Sequence, residues 1–507
     1  MGPTQSQITT VVACSVAACL FMTPSPASSR ARTPQGISQD QENLRTLFAA
    51  ARTASPVMCE MASRAVDYNM YSDGRPPMLS GVVADSAMAT GAGSWAVQRR
   101  PGTELREALM DGIRDPNPCV RNLAVRLLGR MQSIDARAEL IQMAETGTNT
   151  EREVAAIGLG IRRTDDAETA LLTNLKSEDQ SVRAASAWAL GRMESKNAVP
   201  DLAETLTDPS SGVRQAAAHA LGEIEDPRAI DPLAQTLRAG DPPLRLRSAR
   251  ALGQIEDPRA VPALVNALSD TDPRVRAQAA RALGAIEHAS AVDPLGEHVR
   301  NDDDPLVRRT AAAALGSIED PRAVSSLTQG LTDRDSTVRE SSAKALGQID
   351  SRHAIPALQD ALGDDAAAVR LAAVRALGQI DDASASGALV PLLRDPNLRV
   401  RVSAANALRE LGANSAGPQL VDALESEREP SVQQALVRAI GGVRYQAGVA
   451  AVATMLSNDR VEIRRAAVSA LAQLRTDDAV EPLVRALEDE DPEVRKRAAR
   501  GLGRRRS

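Results

Sequence analysis

The sequence predicts an all-α fold, an α-solenoid (superhelix) of about 13 two-helix repeats of 31 residues each. Three observations support this prediction. A segment typified by DPRVRAQAARALGAIE, at residues 272–287, recurs with small changes down the chain. Aromatic residues make up only 1% of the 507 residues, although hydrophobic residues total 43%. The apolar content therefore comes from Ala, Leu and Val, which suit many closely packed helices better than one large core.

The repeat can be followed through one apolar position, called the anchor here, from which the other positions of a repeat are counted. Successive anchors lie 31 residues apart, or 32 at two steps, and the repeats extend from about Gly102 to Gly503. A period held this strictly defines one solenoid domain over residues 102–503. The 13 anchors are Val120, Glu151, Val182, Val213, Leu244, Val275, Val307, Val338, Val369, Val400, Val432, Ile463 and Val494.

Each repeat reads as a pair of short helices joined by a turn. Apolar residues at helical spacing predict a first helix from about Arg259 to Ser269 in the sixth repeat. Asp272 suits the N-cap of the second helix, and Pro273 suits its first position, where a missing N–H costs nothing. Neither helix is long enough to be stable alone, so stacking must bury the apolar stripes. The stripe of this second helix is Val275, Ala279, Ala282, Leu283 and Ile286.

A recurrent glycine marks the ninth position after the anchor. Because glycine inside a helix costs about 1 kcal/mol relative to Ala, its recurrence indicates the close approach of a neighbouring helix. Arg409 and Ala472 interrupt the pattern, and we expect those two junctions to pack differently. The glycines are Gly129, Gly160, Gly191, Gly222, Gly253, Gly284, Gly316, Gly347, Gly378, Gly441 and Gly503.

Charged residues also recur in register. An Arg directly follows the anchor in twelve repeats, and an Asp precedes the anchor by five residues in eight. We expect each Arg to meet the Asp across the turn of its own repeat, which gives a structural ladder of ion pairs. The alternative is an Arg stripe that grips anionic ligands. The ladder is formed by Arg121, Arg214, Arg276, Arg308, Arg339, Arg370, Arg401 and Arg495 with Asp115, Asp208, Asp270, Asp302, Asp333, Asp364, Asp395 and Asp489, and Arg152, Arg183, Arg245 and Arg464 occupy the same position.

These residues resemble HEAT repeats, specifically the short subclass called PBS-lyase HEAT-like repeats. The resemblance rests on the D-P-x-V-R-x-x-A-x-x-A-L-G-x-I core and on a D-P-R-A-V-x-x-L-x-x-x-L-x-D helix. Both are clearest at Asp272–Ile286 and Asp257–Asp270. The resemblance implies a scaffold that binds proteins along a curved groove lined by the second helices.

The residues of this chain can be compared with those that enzymes sharing this repeat type require. The deoxyhypusine hydroxylase-like proteins hold two irons with His-Glu dipeptides, whereas each histidine here precedes Ala or Val. A bilin-lyase-like activity is a less favoured alternative, because Trp188 and Tyr445 are the only aromatic residues among the repeats. The alkylated-base glycosylases need a basic face with aromatic or acidic residues at the lesion, which this composition does not favour. The histidines are His219, His288, His298 and His353.

The N-terminus carries an uncharged apolar run over residues 8–22, too short to span a bilayer comfortably. We expect a signal peptide over residues 1–27 and a linker over residues 28–42, although the leader lacks the usual basic residues. The expected location is therefore exported, periplasmic or extracellular. A lipid-bearing Cys19 and an uncleaved tail on a cytoplasmic protein are the alternatives.

Two cysteines, Cys59 and Cys119, remain outside that segment. An oxidising compartment is compatible with a disulfide between them. We favour the other interpretation, in which both are small buried apolar side chains.

The ends of the array are atypical. Residues 43–101 are expected to form a divergent N-terminal cap with a degenerate repeat near residues 55–62, because a solenoid must cover its terminal apolar face. The alternative is that Tyr68, Tyr71 and Trp95 form a partner-binding knob. The basic tail, residues 504–507, is expected to be solvated, with weak contact to an anionic membrane surface as the alternative.

Charge and motif content limit the function. The net charge of −6 argues against a globally basic nucleic-acid binder. The sequence offers no catalytic residues, no cofactor and no metal site, so we expect no enzyme activity. We predict a non-catalytic scaffold that binds a protein or an extended peptide along a concave groove, with no nucleic acid. The alternative is an accessory or sensor module for an envelope enzyme or protease system.

Overall fold

The computed structural model of this chain describes residues 39–56, 58–59, 103–131 and 134–503. In these residues the chain forms helices joined by turns and loops, which confirms the predicted all-α solenoid. It divides into two compact units, Met1–Ala263 and Leu264–Ser507.

Thirteen second helices follow one another through the described repeats, and each contains its anchor in the first turn. The second helices of adjacent repeats pack side by side within each unit. Their anchors and the Leu eight residues later form the core; Val338 and Leu346, for example, are fully buried. The second helices are Pro118–Arg130, Asn149–Arg162, Gln180–Arg192, Ser211–Ile224, Pro242–Ile255, Pro273–Ile286, Pro305–Ile318, Ser336–Ile349, Ala367–Gln379, Leu398–Glu410, Pro430–Gly442, Val461–Leu474 and Pro492–Gly503.

The first helices are shorter and cover the second helices of their own repeats. From the third repeat onward a single 3-10 turn, such as Pro258–Ala260, precedes the first helix. The first helices are Thr103–Ile113, Ile134–Thr146, Glu168–Asn174, Val199–Thr205, Ile230–Ala239, Val261–Ala267, Val292–Asn301, Val324–Gly330, Ile355–Ala361, Ser386–Leu389, Gly417–Ser426, Val449–Thr454 and Val480–Arg485.

The ends of the second helices show one predicted feature and one that the sequence did not suggest. Asp272 is the N-cap, as predicted, and its carboxylate accepts the backbone N–H of Arg274 at 2.8 Å. The helix ends at Ile286, and the next residue, Glu287, is left-handed with φ 53°. This conformation is costly for a residue with a Cβ atom, so the repeat holds Glu287 there by its surroundings.

A helix before the repeats, Gln39–Thr53, covers the N-terminal end of unit 1. It begins inside the segment that the sequence analysis assigned to a linker. Leu44, Leu47 and Phe48 are buried, and the Phe48 ring lies over Gly112 of the first repeat. Of the expected degenerate repeat near residues 55–62, the described part is helical around Met58 and Cys59.

Cys59 and Cys119 form a disulfide, so the interpretation of two unpaired buried thiols is wrong. Both side chains are buried, as expected, but they are also brought together. Cys119 lies in the first turn of the helix Pro118–Arg130, and Cys59 follows the helix Gln39–Thr53, which covers the first repeat. Proximity across 60 residues depends on how the N-terminal segment packs, which spacing alone does not reveal.

The recurrent glycines lie where second helices approach most closely, as predicted. A Cβ atom at Gly284 would lie 2.8 Å from the Cα of Ala314, and one at Gly347 would lie 2.8 Å from the Cα of Ala376. In both cases the glycine of one repeat faces the Ala seven residues after the next anchor. Backbone atoms occupy the space, so even a methyl group requires the helices to move apart.

Both interruptions of the glycine pattern are compensated on the facing helix. Beside Arg409, the next repeat carries Gly442, whose Cβ position lies 2.5 Å from the Arg409 Cγ. Beside Ala472, the usual Ala of the next repeat is replaced by Gly501, whose Cβ position lies 2.9 Å from the Ala472 Cβ. At these two junctions the glycine therefore lies on the second helix of the following repeat instead of the preceding one.

The same substitution is expected to have opposite effects at two glycines. Gly284→Ala should lower the free energy of unfolding by about 1–2 kcal/mol, because overpacking outweighs the gain in helix propensity. Gly387→Ala should leave it unchanged or raise it by up to about 1 kcal/mol, because nothing lies within 4 Å of its Cβ position. Urea unfolding followed by circular dichroism measures both. Equal effects would show that close approach does not explain the glycine.

Candidate functional site

The ladder arginines join adjacent repeats by two kinds of hydrogen bond. Arg308 donates from Nη1 to the carbonyl oxygens of Asp302 and Asp303, at 2.8 and 3.1 Å, and so closes the turn of its own repeat. From Nε and Nη2 it binds both carboxylate oxygens of Asp333 in the next repeat, at 2.6 and 2.9 Å. Asp333 also accepts the backbone N–H of Asp335 at 2.8 Å. The Arg308 residue is only 4% exposed, so the pair is largely shielded from water.

This arrangement recurs through unit 2 and once in unit 1. The carboxylate always comes from the following repeat, not from the turn of the same repeat as the sequence analysis expected. The residue at the Asp position of the same repeat contributes its backbone carbonyl to the Arg; it is Asp302 for Arg308 but Ser177 for Arg183. The pairs are Arg183–Asp208, Arg276–Asp302, Arg308–Asp333, Arg339–Asp364, Arg370–Asp395, Arg401–Glu427 and Arg464–Asp489.

The remaining ladder residues depart from this pattern. Arg214 pairs with Asp241, the N-cap of the next second helix. Arg121 and Arg495 bind backbone carbonyls of their own turns, and no described acidic side chain pairs with either. Asp115 pairs with Arg52 of the N-terminal helix, which takes the place of a preceding repeat. Asp270 accepts the N–H of Asp272 and gives its carbonyl to Arg276.

The alternative of an anion-gripping Arg stripe does not fit this geometry. Each paired guanidinium already directs Nε and both terminal nitrogens at a carboxylate and at carbonyl oxygens. A ligand would have to displace a bidentate, part-buried carboxylate, which is among the stronger pairs in proteins. The ladder is a structural element.

The ladder predicts how stability depends on pH. Hydrogen bonds from Arg339 hold the pKa of Asp364 below its usual value of about 3.9. The pKa values of Asp302, Asp333 and Asp395 are lowered too, because their hydrogen bonds outweigh burial, which alone would raise them. The folded state then binds fewer protons than the unfolded state, so this stabilisation is present above about pH 3.9 and is lost below it.

Asp364→Asn should therefore reduce the free energy of unfolding at pH 7 but not at low pH. Asn keeps the side-chain oxygen that accepts the N–H of Ala366. The difference between the two proteins, measured by urea unfolding at a series of pH values, should shrink as pH falls below about 3.9. A difference that stays constant down to the lowest pH would contradict the assignment.

The surface formed by the sixth position after each anchor on the second helices, called the second-helix face here, differs between the two units. In the first four repeats, all in unit 1, this position is filled by the buried side chains of Arg126, Ile157, Trp188 and His219, and in the fifth repeat it is filled by Arg250, which is part-buried. Burial lowers the pKa of His219, which favours its neutral form. Neither ring nitrogen of His219 has a hydrogen-bond partner among the described residues. The side chains at this position in the first four repeats are therefore packed inside unit 1 and not presented to solvent.

In unit 2 the same position carries an exposed basic side chain in five of eight repeats, namely Arg281, Lys344, Arg375, Arg438 and Arg500. The other three repeats place Ala313, Asn406 and Ser469 there. Arg281 donates to Gln278 at 3.0 Å, and Lys344 pairs with Glu340 on its own helix at 2.6 Å. Arg375 and Arg438 make no hydrogen bond or ion pair within the described chain. The second-helix face of unit 2 thus carries an interrupted row of cations, called the basic row here.

Exposed acidic residues of unit 2 include Asp293, Asp360, Asp422 and Glu425 on the first helices. The net charge of −6 is a total over the whole chain and does not reveal a local row of basic residues. The sequence analysis examined only the total, and reading the sixth position across repeats is the signal that finds the basic face.

A cleft of about 560 Å³ lies in unit 1 between the first helices Thr103–Ile113 and Ile134–Thr146. Both cations of its lining are paired, Arg106 with Glu139 and Arg114 with Glu151. The lining also carries Glu107 and Asp111, so no basic group there is left for an anionic ligand.

Other predicted features fall outside the described residues or find no counterpart in them. Tyr68, Tyr71 and Trp95, the signal segment and the basic tail lie outside the described residues. Across residues 39–59 and 103–503, as far as they are described, no group of three His, Cys, Asp or Glu side chains is placed to hold a metal ion. No helix of the described part combines the length and hydrophobicity needed to cross a membrane.

Known structures place this geometry in a wider context. Importin beta is similar at 15% identity and a TM-score of 0.57, over 80% of this chain and 70% of that chain, which supports the fold alone. An engineered protein matches at 24% identity, a TM-score of 0.35, and 73% and 99% of the two chains. The phycocyanin lyase complex of Nostoc sp. matches at 25% identity, a TM-score of 0.29, and 44% and 92%.

Sequence comparison identifies the repeats directly. No curated protein sequence matches the chain significantly. The family model for HEAT repeats matches residues 168–243, 230–316, 292–370, 361–441 and 417–503. The matches overlap and together cover most of the array, in agreement with the stacked helix pairs. The chain belongs to the HEAT-repeat family.

Proposed function

We propose that the chain is a non-catalytic scaffold that binds a protein segment along the concave, second-helix face of unit 2. The exposed basic row supports this proposal. The seven arginines of the Arg–carboxylate rungs are already paired, as Arg308 is with Asp333, whereas Arg375 and Arg438 of the basic row are exposed and available to a partner. The catalytic residues that an enzyme of this size needs are not suggested by the sequence.

The chemistry of the row favours an extended, acidic partner. Adjacent helices in a stack lie about 8–10 Å apart. An extended chain advances about 3.3 Å per residue, so every third residue keeps pace with the helix stack. Carboxylates at that spacing would meet Lys344 and Arg375 in adjacent repeats and, beyond Asn406, Arg438.

We infer that the scaffold acts after export. The disulfide between Cys59 and Cys119 supports this, because such bonds persist in oxidising compartments and are rare in the cytosol. The apolar run over residues 8–22 is consistent with it.

A direct test uses a fluorescein-labelled peptide with Glu at every third position and a matched peptide with Gln in its place. Fluorescence anisotropy with the full chain should give saturable binding of the Glu peptide that weakens as salt is raised. Arg375→Glu combined with Arg438→Glu should weaken binding at least tenfold, because two attractive contacts become repulsive.

Arg399→Glu is the matched control, because Arg399 is exposed in the first turn of the helix Leu398–Glu410, outside the sixth position, and its side chain binds nothing described. It should leave the affinity unchanged. Equal affinity for the Glu and Gln peptides would sink the proposal. Tighter binding of single-stranded DNA than of the Glu peptide would assign the face to a nucleic acid instead.

A further inference from the structure

His219, on the second helix of the fourth repeat, differs from the other histidines of the chain. It is only 9% exposed, and neither of its ring nitrogens has a hydrogen-bond partner among the described residues. Each of the other histidines contacts a polar side chain through its ring, namely His288, His298 and His353. His219 is therefore the histidine that folding removes from water without giving it a partner.

The charged groups around His219 come from three packed second helices. The helix of His219 itself contributes Glu223, one turn further on, which favours a proton on the ring. The second helix of the third repeat contributes Arg192, and that of the fifth repeat contributes Arg247; both disfavour the proton. Arg250 of the fifth repeat adds a further cation on the same helix as Arg247. Burial first, and then these arginines, hold the pKa of His219 below its usual value of about 6.5.

The one carboxylate that could accept a hydrogen bond from a protonated His219 is already used. Arg192 donates from Nη1 to Oε2 of Glu223 at 3.1 Å, and the two side chains are only 10% and 16% exposed. This ion pair links the third repeat to the fourth. Because His219 and Glu223 are four residues apart on one helix, the imidazolium form of His219 can reach the same carboxylate. Two cations on different repeats then compete for Glu223.

We propose that His219 is an acid-sensitive switch in unit 1. When the ring gains a proton, the carboxylate of Glu223 turns from Arg192 towards His219, and the link between the third and fourth repeats is weakened. The new buried charge also repels Arg247 of the fifth repeat. The packing between these repeats therefore loosens in mild acid. This switch is separate from the basic row of unit 2, so it does not depend on the proposed function.

The sign of the pH dependence follows from proton binding. Below about pH 6.5 the unfolded chain carries a proton on His219, whereas the folded chain still resists it. The stabilisation is therefore complete above about pH 6.5 and is lost as the pH falls from there towards the lowered pKa of the folded state. The ladder carboxylates lose their contribution only below about pH 3.9, so the two effects are separated in pH.

Trp188 provides a local probe of the loosening. It holds the sixth position of the third repeat, on the helix that packs against the helix of His219, and is 3% exposed. In a Trp95→Phe background it is the single tryptophan of the chain. Between pH 7.5 and pH 5 its emission should shift to longer wavelength, and quenching by acrylamide should increase about twofold, as the site takes up a proton.

His219→Phe should abolish this change, because Phe keeps a buried ring of similar size that cannot take up a proton. His219→Gln should abolish it too, and it serves as a second variant if Phe disturbs the packing. His353→Phe is the control, because His353 is exposed and lies in unit 2. It should leave the response of Trp188 unchanged. Circular dichroism at pH 7.5 confirms that each variant is folded.

The competition for Glu223 is tested by the titration of His219 itself. In the untagged chain with 13C-labelled histidine rings, NMR follows the four histidines separately, and His219→Phe identifies the signal. Arg192→Met frees the carboxylate and removes a nearby cation, so it should raise the midpoint of His219 by about 0.5 pH units. Glu223→Gln removes the carboxylate and should lower it by a similar amount. A histidine that is merely buried would respond to neither substitution.

Four results would overturn the proposal. The first is a Trp188 emission that stays constant between pH 7.5 and pH 5. The second is a change that persists in both His219→Phe and His219→Gln. The third is a midpoint of His219 above about pH 6.5, which would mean that folding stabilises the imidazolium. The fourth is a midpoint that Arg192→Met and Glu223→Gln leave unchanged or move in the same direction.

Discussion

Arg308→Met is expected to lower the free energy of unfolding by about 3 kcal/mol, because removal of one partner leaves the other charge buried and unpaired. Arg308 and Asp333 side chains are only 5% and 10% exposed. The substitution also removes the two hydrogen bonds that close the turn at Asp302 and Asp303. Met keeps most of the apolar volume of the Arg stem, so the loss reports on the charge and its hydrogen bonds. Urea unfolding measures it.

The matched control is Arg495→Met, at the same register position in the last repeat. Arg495 is exposed and has no described acidic partner, so its loss is expected to cost about 1 kcal/mol or less. The double variant with Arg308→Met and Asp333→Asn should be less destabilised than the sum of the two single changes, because no unpaired charge remains. Equal losses in Arg308→Met and Arg495→Met would show that the ladder contributes little.

The stability loss expected for Arg308→Met applies to the other rungs of the ladder as well, because a solenoid is stabilised by contacts between nearest neighbours. The apolar core and the glycine–alanine contact are the other two inter-repeat elements. In each of the seven Arg–carboxylate rungs the Arg reaches a carboxylate of the repeat that follows, as at Arg308 and Asp333. A rung therefore favours one order of stacking, as does the glycine–alanine contact, in which the glycine faces an Ala of the next repeat.

The sequence was sufficient for the elements that recur. The anchors, the Asp272 N-cap and the glycine contacts each appear many times in register, so a local rule is tested repeatedly within one chain. The sequence also predicted a ladder of ion pairs, but it did not identify which carboxylate pairs with each Arg. Asp302 lies close to Arg308 along the chain, and Asp333 lies close to it in the next repeat of the stack. Only the packing of adjacent repeats shows that the Asp333 carboxylate is the one that pairs with Arg308.

Other features were beyond the same reasoning. The pairing of Cys59 with Cys119 depends on the path of the N-terminal segment, for which no repeat provides a template. A left-handed residue such as Glu287 recurs at the ends of the second helices, but its residue type does not suggest this conformation, because glycine is the usual choice there. The basic row of unit 2 was hidden by an acidic total charge, which sums over the whole chain.

Loss of the disulfide is expected to release the N-terminal helix from the first repeat. Closing a loop of 60 residues stabilises the linked segment by about 4 kcal/mol in the chain-entropy model. Apolar contacts of Leu44, Leu47 and Phe48 then have to hold the helix alone, together with Arg52 and Asp115. Cys119→Ser should therefore raise hydrogen exchange in residues 39–53 and 103–130.

The repeats beyond residue 300 provide the internal control, because they belong to unit 2 and the segment that the disulfide links belongs to unit 1. Their exchange should be the same in Cys119→Ser and in the unaltered protein. Reductant should reproduce the effect in the unaltered protein and add nothing to Cys119→Ser.

Expression in a bacterium with and without residues 1–27 links this bond to export, because the periplasm oxidises thiols and the cytosol keeps them reduced. Thiol labelling and intact mass should find the bond only in protein made with residues 1–27. Two free thiols in that protein would contradict both the pairing and its expected compartment.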